Sequence, residues 1–158
     1  MVRHLAGLLG GLILACAPAA ALDPSGVPPA RDLRAESAAA ARAGLPLIVI
    51  FSRDDCKFCT AIKRDYLQPM AGQARNGNRP VIREIRQDSD AALTGFGGEK
   101  TTHADFARNA KIKLVPVVAF YGPDGRQLAD PIVGARLPDF YQSYLDDGID
   151  NASKKLRK

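Results

Sequence analysis

The stretch LIVIFSRDDCKFC, residues 47–59, decides the fold class of this chain. It opens with the apolar run Leu47–Phe51, which has the length and composition of a strand buried on both faces of a sheet. Cys56 and Cys59 follow one helical turn apart, where the strand gives way to a helix. Two thiols in this arrangement suit a reversible disulfide, and a metal site and a structural crosslink are the alternatives.

The flanking segments predict one domain of alternating helices and strands. Asp55 can cap a helix that begins near Cys56, and Pro69 ends it after Leu67. The predicted order is helix 31–43, strand 47–52, helix 56–67, strand 81–86, an inserted loop 88–101, helix 102–110, strand 115–120, a turn at 123–125, strand 127–133 and helix 138–149. A βαβ half followed by a hairpin and a helix predicts an α/β fold with a mixed central β-sheet flanked by helices.

The first 21 residues have the pattern of an export signal. A short basic start precedes the apolar run Leu5–Ala15, which is too short to span a bilayer as a helix. Ala19 and Ala21 then fit the small-residue rule for cleavage. We therefore expect a periplasmic or secreted protein. Cys16 offers an alternative, since a lipid attached to it would anchor the chain to a membrane.

The domain boundaries follow from composition. Residues 22–30 are rich in proline and small side chains and are expected to be an exposed linker. Residues 31–150 form the predicted domain, and the basic tail 151–158 is expected to be solvated.

The composition is that of an ordinary globular protein. The chain has 158 residues, of which 46% are apolar and 25% charged. Its net charge is +5, and removal of Arg3 with the leader would leave +4. No basic block is interleaved with aromatic residues, so no nucleic-acid partner is expected.

The remaining residues offer few alternatives to a disulfide. Cys56 and Cys59 have only each other as partners once Cys16 is removed or lipidated. A zinc site needs about four ligands. Because His4 and Cys16 lie in the leader, the rest of the chain adds only carboxylates and His103, which is expected at the surface of a short helix. Covalent haem needs histidine where Thr60 stands. We expect no cofactor and no metal, although Cu(I) binding by the two thiolates and a purely structural disulfide stay open.

Opposing charges surround the first thiol. The N–H groups and dipole of the helix start favour a Cys56 thiolate, and Lys57 adds a positive charge. Asp54 and Asp55 act in the opposite direction. The sequence leaves the balance open.

Taken together, these motifs resemble the thioredoxin-like superfamily over about residues 31–150. The resemblance is carried by the strand 47–51, the CKFC motif at 56–59, Val115-Pro116 before a strand, and Gly125 in the following hairpin. More narrowly, the glycine-containing insertion around residues 96–100 is similar to one in exported thioredoxin-related proteins of bacterial sulfur-oxidation systems.

The resemblance implies a role for each residue of the motif. Cys56 would be the attacking thiol and Cys59 the resolving one. Pro116 would be cis and lie against the pair, with the Val115 backbone available to a bound substrate strand. Substrate contacts are expected from Lys57 and Phe58 as well.

Four positions depart from the pattern of cytoplasmic thioredoxins. Lys57-Phe58 replaces Gly-Pro between the cysteines, and Asp55 replaces tryptophan. Ile50 stands where those proteins bury an acid, so the residue that accepts the proton of the second thiol is not identified.

The function expected from the resemblance is an exported thiol–disulfide oxidoreductase. It would reduce disulfides of client proteins through a Cys56/Cys59 dithiol–disulfide cycle and be recharged by a membrane electron donor, acting as a monomer. A disulfide oxidase or isomerase is the alternative direction. A non-catalytic thioredoxin-fold binding module with a structural disulfide is the alternative class.

Overall fold

A computed structural model of the chain describes residues 26–75, 77–135 and 138–157. The predicted leader and Cys16 lie outside these residues. In chain order the elements are α1 (Leu33–Arg42), β1 (Leu47–Ser52), α2 (Lys57–Ile62), a π-helical segment (Lys63–Leu67), α3 (Gln68–Gly72), β2 (Val81–Arg86), β3 (Ala92–Thr94), β4 (Lys100–Thr102), α4 (His103–Asn109), β5 (Val117–Tyr121), β6 (Ile132–Val133) and α5 (Pro138–Leu156). Among the described residues, no helix is long and apolar enough to cross a membrane.

A four-stranded mixed sheet forms the centre of the domain, in the order β2-β1-β5-β6. β1 pairs in parallel with β2 and antiparallel with β5. The parallel pair is joined by the helical crossover that includes α2 and α3, as parallel neighbours require. The predicted α/β fold with a mixed central sheet is confirmed.

The side chains of β1 alternate between two hydrophobic clusters, one on each face of the sheet. Ile48 and Ile50 belong to the cluster that includes residues of α2 and α5, while the alternate β1 residues belong to the cluster of α1 and α4. Ser52 shares the Ile50 face by the two-residue period of a strand. The helix that begins beside the cysteines therefore covers the face of β1 that ends in Ser52.

This helix continues past Pro69, where the sequence predicted its end. α2 leads into the π-helical segment, and α3 extends the helix to Gly72. Pro69 lies in the first turn of α3, a position that tolerates a residue without an N–H. The prediction was wrong because it applied the rule for the middle of a helix to a residue that begins a new helical segment.

The predicted loop 88–101 contains a small second sheet. β3 and β4 pair antiparallel, with Ala92 opposite Thr102. Between them the N–H of Gly95 donates to the carbonyl of Glu99, and Gly98 has a φ of +89°. The prediction of a loop was wrong because the glycines form the turn of a hairpin.

The described part of the predicted linker is not exposed. Val27 is buried in the core. The N–H of Glu84 donates to the carbonyl of Pro28, and the N–H of Ala30 donates to the carbonyl of Glu84. Residues 27–30 thus cover the outer edge of β2, and their hydrogen bonds pair backbone groups that an open strand edge would leave unpaired.

The predicted basic tail is helical as far as Leu156. Ala152 and Ser153 are buried, and Leu156 packs against the same cluster as Ile149. The buried residues recur every three or four positions after Ile149, so the inward face of α5 continues for about two more turns. The lysines of this segment lie on the outer face of the helix and are not part of a frayed end.

His103 is buried at the start of α4, contrary to the expected surface position. Its Nδ1 accepts the backbone N–H of Arg86 at 3.1 Å, and its Nε2 lies 2.8 Å from the carbonyl oxygen of Ala30. Because Nδ1 accepts, Nε2 carries the proton and donates. His103 thereby joins β2 to the segment before α1.

The hairpin after β5 is confirmed, but its second strand is shorter than predicted. The N–H of Gly125 donates to Gly122, and Gln127 bridges to Tyr121. Leu128 donates its N–H to the carbonyl of Phe120, and the short strand Ile132–Val133 then pairs with β5. Pro131 has no N–H and directly precedes this short edge strand, where a sheet tolerates proline.

Candidate active site

Cys56 and Cys59 form a disulfide at the start of α2. Their sulfurs are 2.10 Å apart and their Cα atoms 5.2 Å apart. Cys56 is itself the N-cap residue, and its Sγ accepts the backbone N–H of Cys59 at 3.1 Å. The predicted cap, Asp55, is instead exposed and paired with Arg53. Cys56 is 8% exposed and Cys59 is 1% exposed, so the first sulfur is the more accessible one.

The acids before the helix have arginine partners. Asp54 lies 3.5 Å from the guanidinium of Arg86, and its N–H donates to the Asp88 carboxylate at 2.9 Å. Partial burial raises the pKa of Asp88, but this hydrogen bond and Arg86 outweigh it and hold that pKa below its usual range. The negative charge expected to oppose a Cys56 thiolate is therefore partly neutralised, and the loop that carries it is fixed to the end of β2.

The Val115–Pro116 peptide bond is cis, which confirms the prediction for this bond. Pro116 is buried, and its carbonyl accepts the N–H of Gly134 at 2.8 Å. Val117, the residue after Pro116, pairs with Phe51 near the end of β1. β1 ends at Ser52, and Cys56 follows four residues later. The cis bond and the disulfide therefore lie at the same end of the sheet.

Exposed apolar side chains surround this end of the sheet. Phe58 is 57% exposed, and the Lys57 ammonium lies 5.5 Å from the centre of its ring. Leu114, two residues before the cis proline, is 70% exposed. Val133 pairs with Val117 and is also exposed. We call Phe58, Leu114 and Val133 the apolar rim.

A buried polar cluster lies on the face of the sheet that α2 covers. The Glu84 carboxylate accepts hydrogen bonds from Ser52 Oγ at 2.5 Å and Lys63 Nζ at 2.7 Å. Glu84 is 2% exposed and Lys63 is 7% exposed. The register of the parallel pair places Glu84 opposite Ile50. An acid is therefore buried beside β1, although none is present at position 50 itself.

No metal site is formed by the residues that the structure describes, since no three His, Cys, Asp or Glu side chains come together there.

Comparison with known protein families identifies the domain. A thioredoxin-like domain family matches residues 33–149. The chain belongs to this thioredoxin-like family. A search of curated proteins gave no match.

Three solved structures are similar to this chain at low identity. A thioredoxin-fold protein from Helicobacter pylori is 12% identical, with a TM-score of 0.51 over 70% of this chain and 79% of that one. Oxidised mitochondrial thioredoxin 3 from Saccharomyces cerevisiae is 17% identical, with a TM-score of 0.48 over 79% and 94%. The oxidised C-terminal domain of Neisseria meningitidis DsbD is 18% identical, with a TM-score of 0.47 over 76% and 98%.

Sequence reasoning found part of this thioredoxin-like site and missed the rest. The disulfide, the cis bond and the exposed Lys57-Phe58 spacer lie together at one end of the sheet, as predicted. The missed residues are Ser52, Lys63, Glu84 and Leu114. The signals that could have found the cluster were a glutamate two residues after Ile82, on the same face of the predicted strand, and a lysine four residues after Cys59.

Proposed function

We propose that this chain is a thiol–disulfide oxidoreductase that reduces disulfides in client proteins through Cys56 and Cys59. The observation that carries the proposal is the disulfide at the start of α2, with one sulfur at the helix N-cap and the other buried beneath it. This asymmetry suits the two different tasks of an attacking and a resolving thiol.

The reaction starts from the reduced pair. The N–H of Cys59 and the helix start stabilise the Cys56 thiolate. The thiolate attacks a client disulfide, so that a Cys56–client disulfide forms and the first client sulfur leaves as a thiolate, which takes up a proton from solvent. Cys59, as a thiolate, then attacks Cys56 Sγ. The Cys56–Cys59 disulfide forms, the second client sulfur leaves, and two electrons have passed to the client.

In this proposal the client is contacted by Lys57, Phe58, Val115 and Pro116 and by the apolar rim. Lys57 and Phe58 are exposed beside the attacking sulfur. Val115 is half-buried before the cis Pro116, and its backbone is offered to an extended client segment. The apolar rim would contact the side chains around the client disulfide.

Location and partners belong to the same proposal. The leader supports export to the periplasm, with the anchored form through Cys16 as the alternative. An exported reductase needs a source of electrons on its own side of the membrane, so we propose a membrane electron donor that reduces the Cys56–Cys59 disulfide. The protein would act as a monomer.

Two measurements test the function. Titration of the pair against glutathione or dithiothreitol should give a reduction potential above about −300 mV, because structural disulfides are generally more resistant to reduction than this. Expression of the Cys59→Ser variant in the native compartment should trap clients as disulfides with Cys56, while the Cys56→Ser/Cys59→Ser variant traps none. A potential far below that limit, together with no trapped adduct, would leave a binding module with a structural disulfide.

The direction of electron flow has its own test. A reductase should be found mainly with its pair reduced when cells are quenched with acid and alkylated. Deletion of the electron donor should shift the pair to the disulfide. A pair found oxidised in unperturbed cells would indicate the oxidase instead.

A further inference from the structure

A groove runs along β5 on the face of the sheet that α4 partly covers. Its floor is formed by alternate side chains of the strand, Val117, Ala119 and Tyr121, which share one face. Its walls are residues 110–114, which follow α4, and the edge strand β6 with the residues before it. The volume of the groove is about 320 Å³, at the small end of the range for binding sites (about 300–1,000 Å³). The groove therefore suits a short stretch of chain rather than a large ligand.

This groove is continuous with the apolar rim. Leu114 and Val133 belong to the rim and also line the groove. Val133 pairs with Val117, and the N–H of the next residue, Gly134, donates to the carbonyl of the cis Pro116 at 2.8 Å. A client segment that lies on the rim beside the cis bond can therefore extend into the groove.

The charge of the groove is positive. Lys111 and Lys113 line it and are exposed, and no carboxylate is among the described residues of its lining. Neither lysine forms an ion pair within the part of the chain that the structure describes. On the preceding helix, the Asp105 carboxylate lies 2.7 Å from the guanidinium of Arg108, which compensates its charge. The two ammonium groups are thus available to an anionic partner beside an apolar floor.

Lys111 has a backbone conformation that lysine rarely adopts. Its φ is +57°, and it alone among the described residues other than glycine has a positive φ. It follows the C-cap of α4, where its N–H donates to the carbonyl of Arg108 and the N–H of Ile112 donates to that of Ala107. Helices that end with this pair of hydrogen bonds usually have glycine at the left-handed position. A lysine there is strained where a glycine would not be, so the local structure does not explain it.

We propose that Lys111 and Lys113 make this groove a subsite for an acidic segment of the client that also carries an apolar residue. The inference rests on the proposed function and names the class of client that the protein prefers. An apolar side chain of the segment would contact the floor. In an extended segment the residues on either side of it point the opposite way, toward the exposed lysines, so Asp or Glu at those positions would pair with them. Lys57 adds a positive charge beside Cys56.

Peptides with a single cysteine joined to thionitrobenzoate by a disulfide test this preference. The peptides differ only in the three residues on each side of the cysteine, which are Glu-Leu-Glu, Gln-Leu-Gln or Lys-Leu-Lys. The Cys56 thiolate attacks the peptide sulfur, and thionitrobenzoate leaves as a coloured thiolate because it is the less basic thiol. Cys59 then attacks Cys56 Sγ and frees the peptide, so the peptide disulfide is reduced by two electrons and the Cys56–Cys59 disulfide forms. The second-order rate constant of colour release is the readout.

The unmodified protein should react about fivefold faster with the acidic peptide than with the neutral one at low salt, and more slowly with the basic one. The ratio is modest because exposed ion pairs are weak. It should approach one near 1 M salt, where charges are screened over about 3 Å. Replacing both leucines of the acidic peptide with glycine should slow its reaction, because the floor then loses its apolar contact. Equal rates with leucine and glycine would refute the apolar part of the subsite.

A pair of double variants separates the groove from the net charge of the protein. Lys111→Gln/Lys113→Gln should reduce the ratio of acidic to neutral rates to about one. Arg42→Gln/Arg79→Gln removes the same charge and should keep the ratio. These arginines are exposed and lie before β1 and β2, at the opposite end of the sheet from the disulfide. If the arginine variant lowers the ratio as much as the lysine variant, the net charge of +5 attracts acidic peptides and the inference is refuted.

Lys111→Gly separates client binding from folding. Glycine removes the backbone strain at this position, so the urea midpoint should rise. The ratio of acidic to neutral rates should fall about twofold at the same time, because one of the two ammonium groups is lost. A raised midpoint with an unchanged ratio would refute the role of Lys111.

The same peptides keep the two proposals apart. If the reduced, unmodified protein releases no thionitrobenzoate from any peptide, the result counts against the proposed function. If it reacts with all three peptides at equal rates, the result counts only against the groove as a subsite for acidic clients.

Discussion

Replacing Glu84 with glutamine should lower the free energy of unfolding by about 3 to 5 kcal/mol. The magnitude follows from the surroundings of its partner. Lys63 is 7% exposed and its ammonium lies 2.7 Å from Glu84 Oε1, so the variant removes a carboxylate that compensates a buried cation. Glutamine keeps the size of the side chain and still offers an oxygen to Ser52, so packing and the second hydrogen bond change little.

A surface pair of the same length provides the matched control. The Arg108 guanidinium lies 2.7 Å from the Asp105 carboxylate, but these side chains are 73% and 47% exposed. Arg108→Gln should therefore cost less than about 1 kcal/mol. The assay is urea denaturation followed by far-ultraviolet circular dichroism, since the chain has no tryptophan. If Glu84→Gln and Arg108→Gln cost the same, the reasoning from burial is wrong.

Three further predictions concern the rim, the core and the response to alkali. Leu114→Ser should reduce kcat/KM for a protein disulfide about fivefold by removing apolar contact area, and should leave the reaction with a small aromatic disulfide unchanged. Gly148→Ala should destabilise the protein by about 1 to 3 kcal/mol despite the better helix propensity of alanine, because the added methyl would overlap the Phe120 ring; an unchanged urea midpoint would contradict this. Burial raises the pKa of Tyr121 from 10.0 to about 12. The unfolded chain therefore loses this proton first, so stability should fall between these two pH values, and Tyr121→Phe should show a smaller fall in urea midpoints.

The sequence was most informative where one local rule decides the structure. The apolar run of β1 and the cysteines after it predicted the strand-to-helix junction without any tertiary information. The predicted helix 102–110 is present as α4, and its first residue, Thr102, caps it by accepting the N–H of Asp105 on Oγ1. The cis bond before Pro116 was predicted from the family resemblance, because the residues alone allow an ordinary proline at the start of a strand.

Predictions were wrong where tertiary contacts override composition. Residues 27–30 have the composition of a linker, yet their carbonyl and N–H groups pair with Glu84 on the edge of β2. His103 was assigned to a surface because histidine is often exposed, but its two ring nitrogens join segments far apart in sequence. Neither interaction can be predicted from neighbouring residues in the sequence, because each depends on which segments pack together in the fold.

The buried acid near the disulfide was missed for the same reason, because its position depends on a tertiary contact. Reading along β1, position 50 is isoleucine, which suggests that nothing beneath the second thiol can accept a proton. The parallel register places Glu84 of the neighbouring strand opposite this position, and the helix contributes Lys63 from above. Cα atoms of paired strands are about 5 Å apart, so a carboxylate on the adjacent strand can serve the same volume as one on β1. Whether a buried charge lies beside β1 therefore depends on the neighbouring strand as well as on β1 itself, and only the fold shows which side chain supplies it.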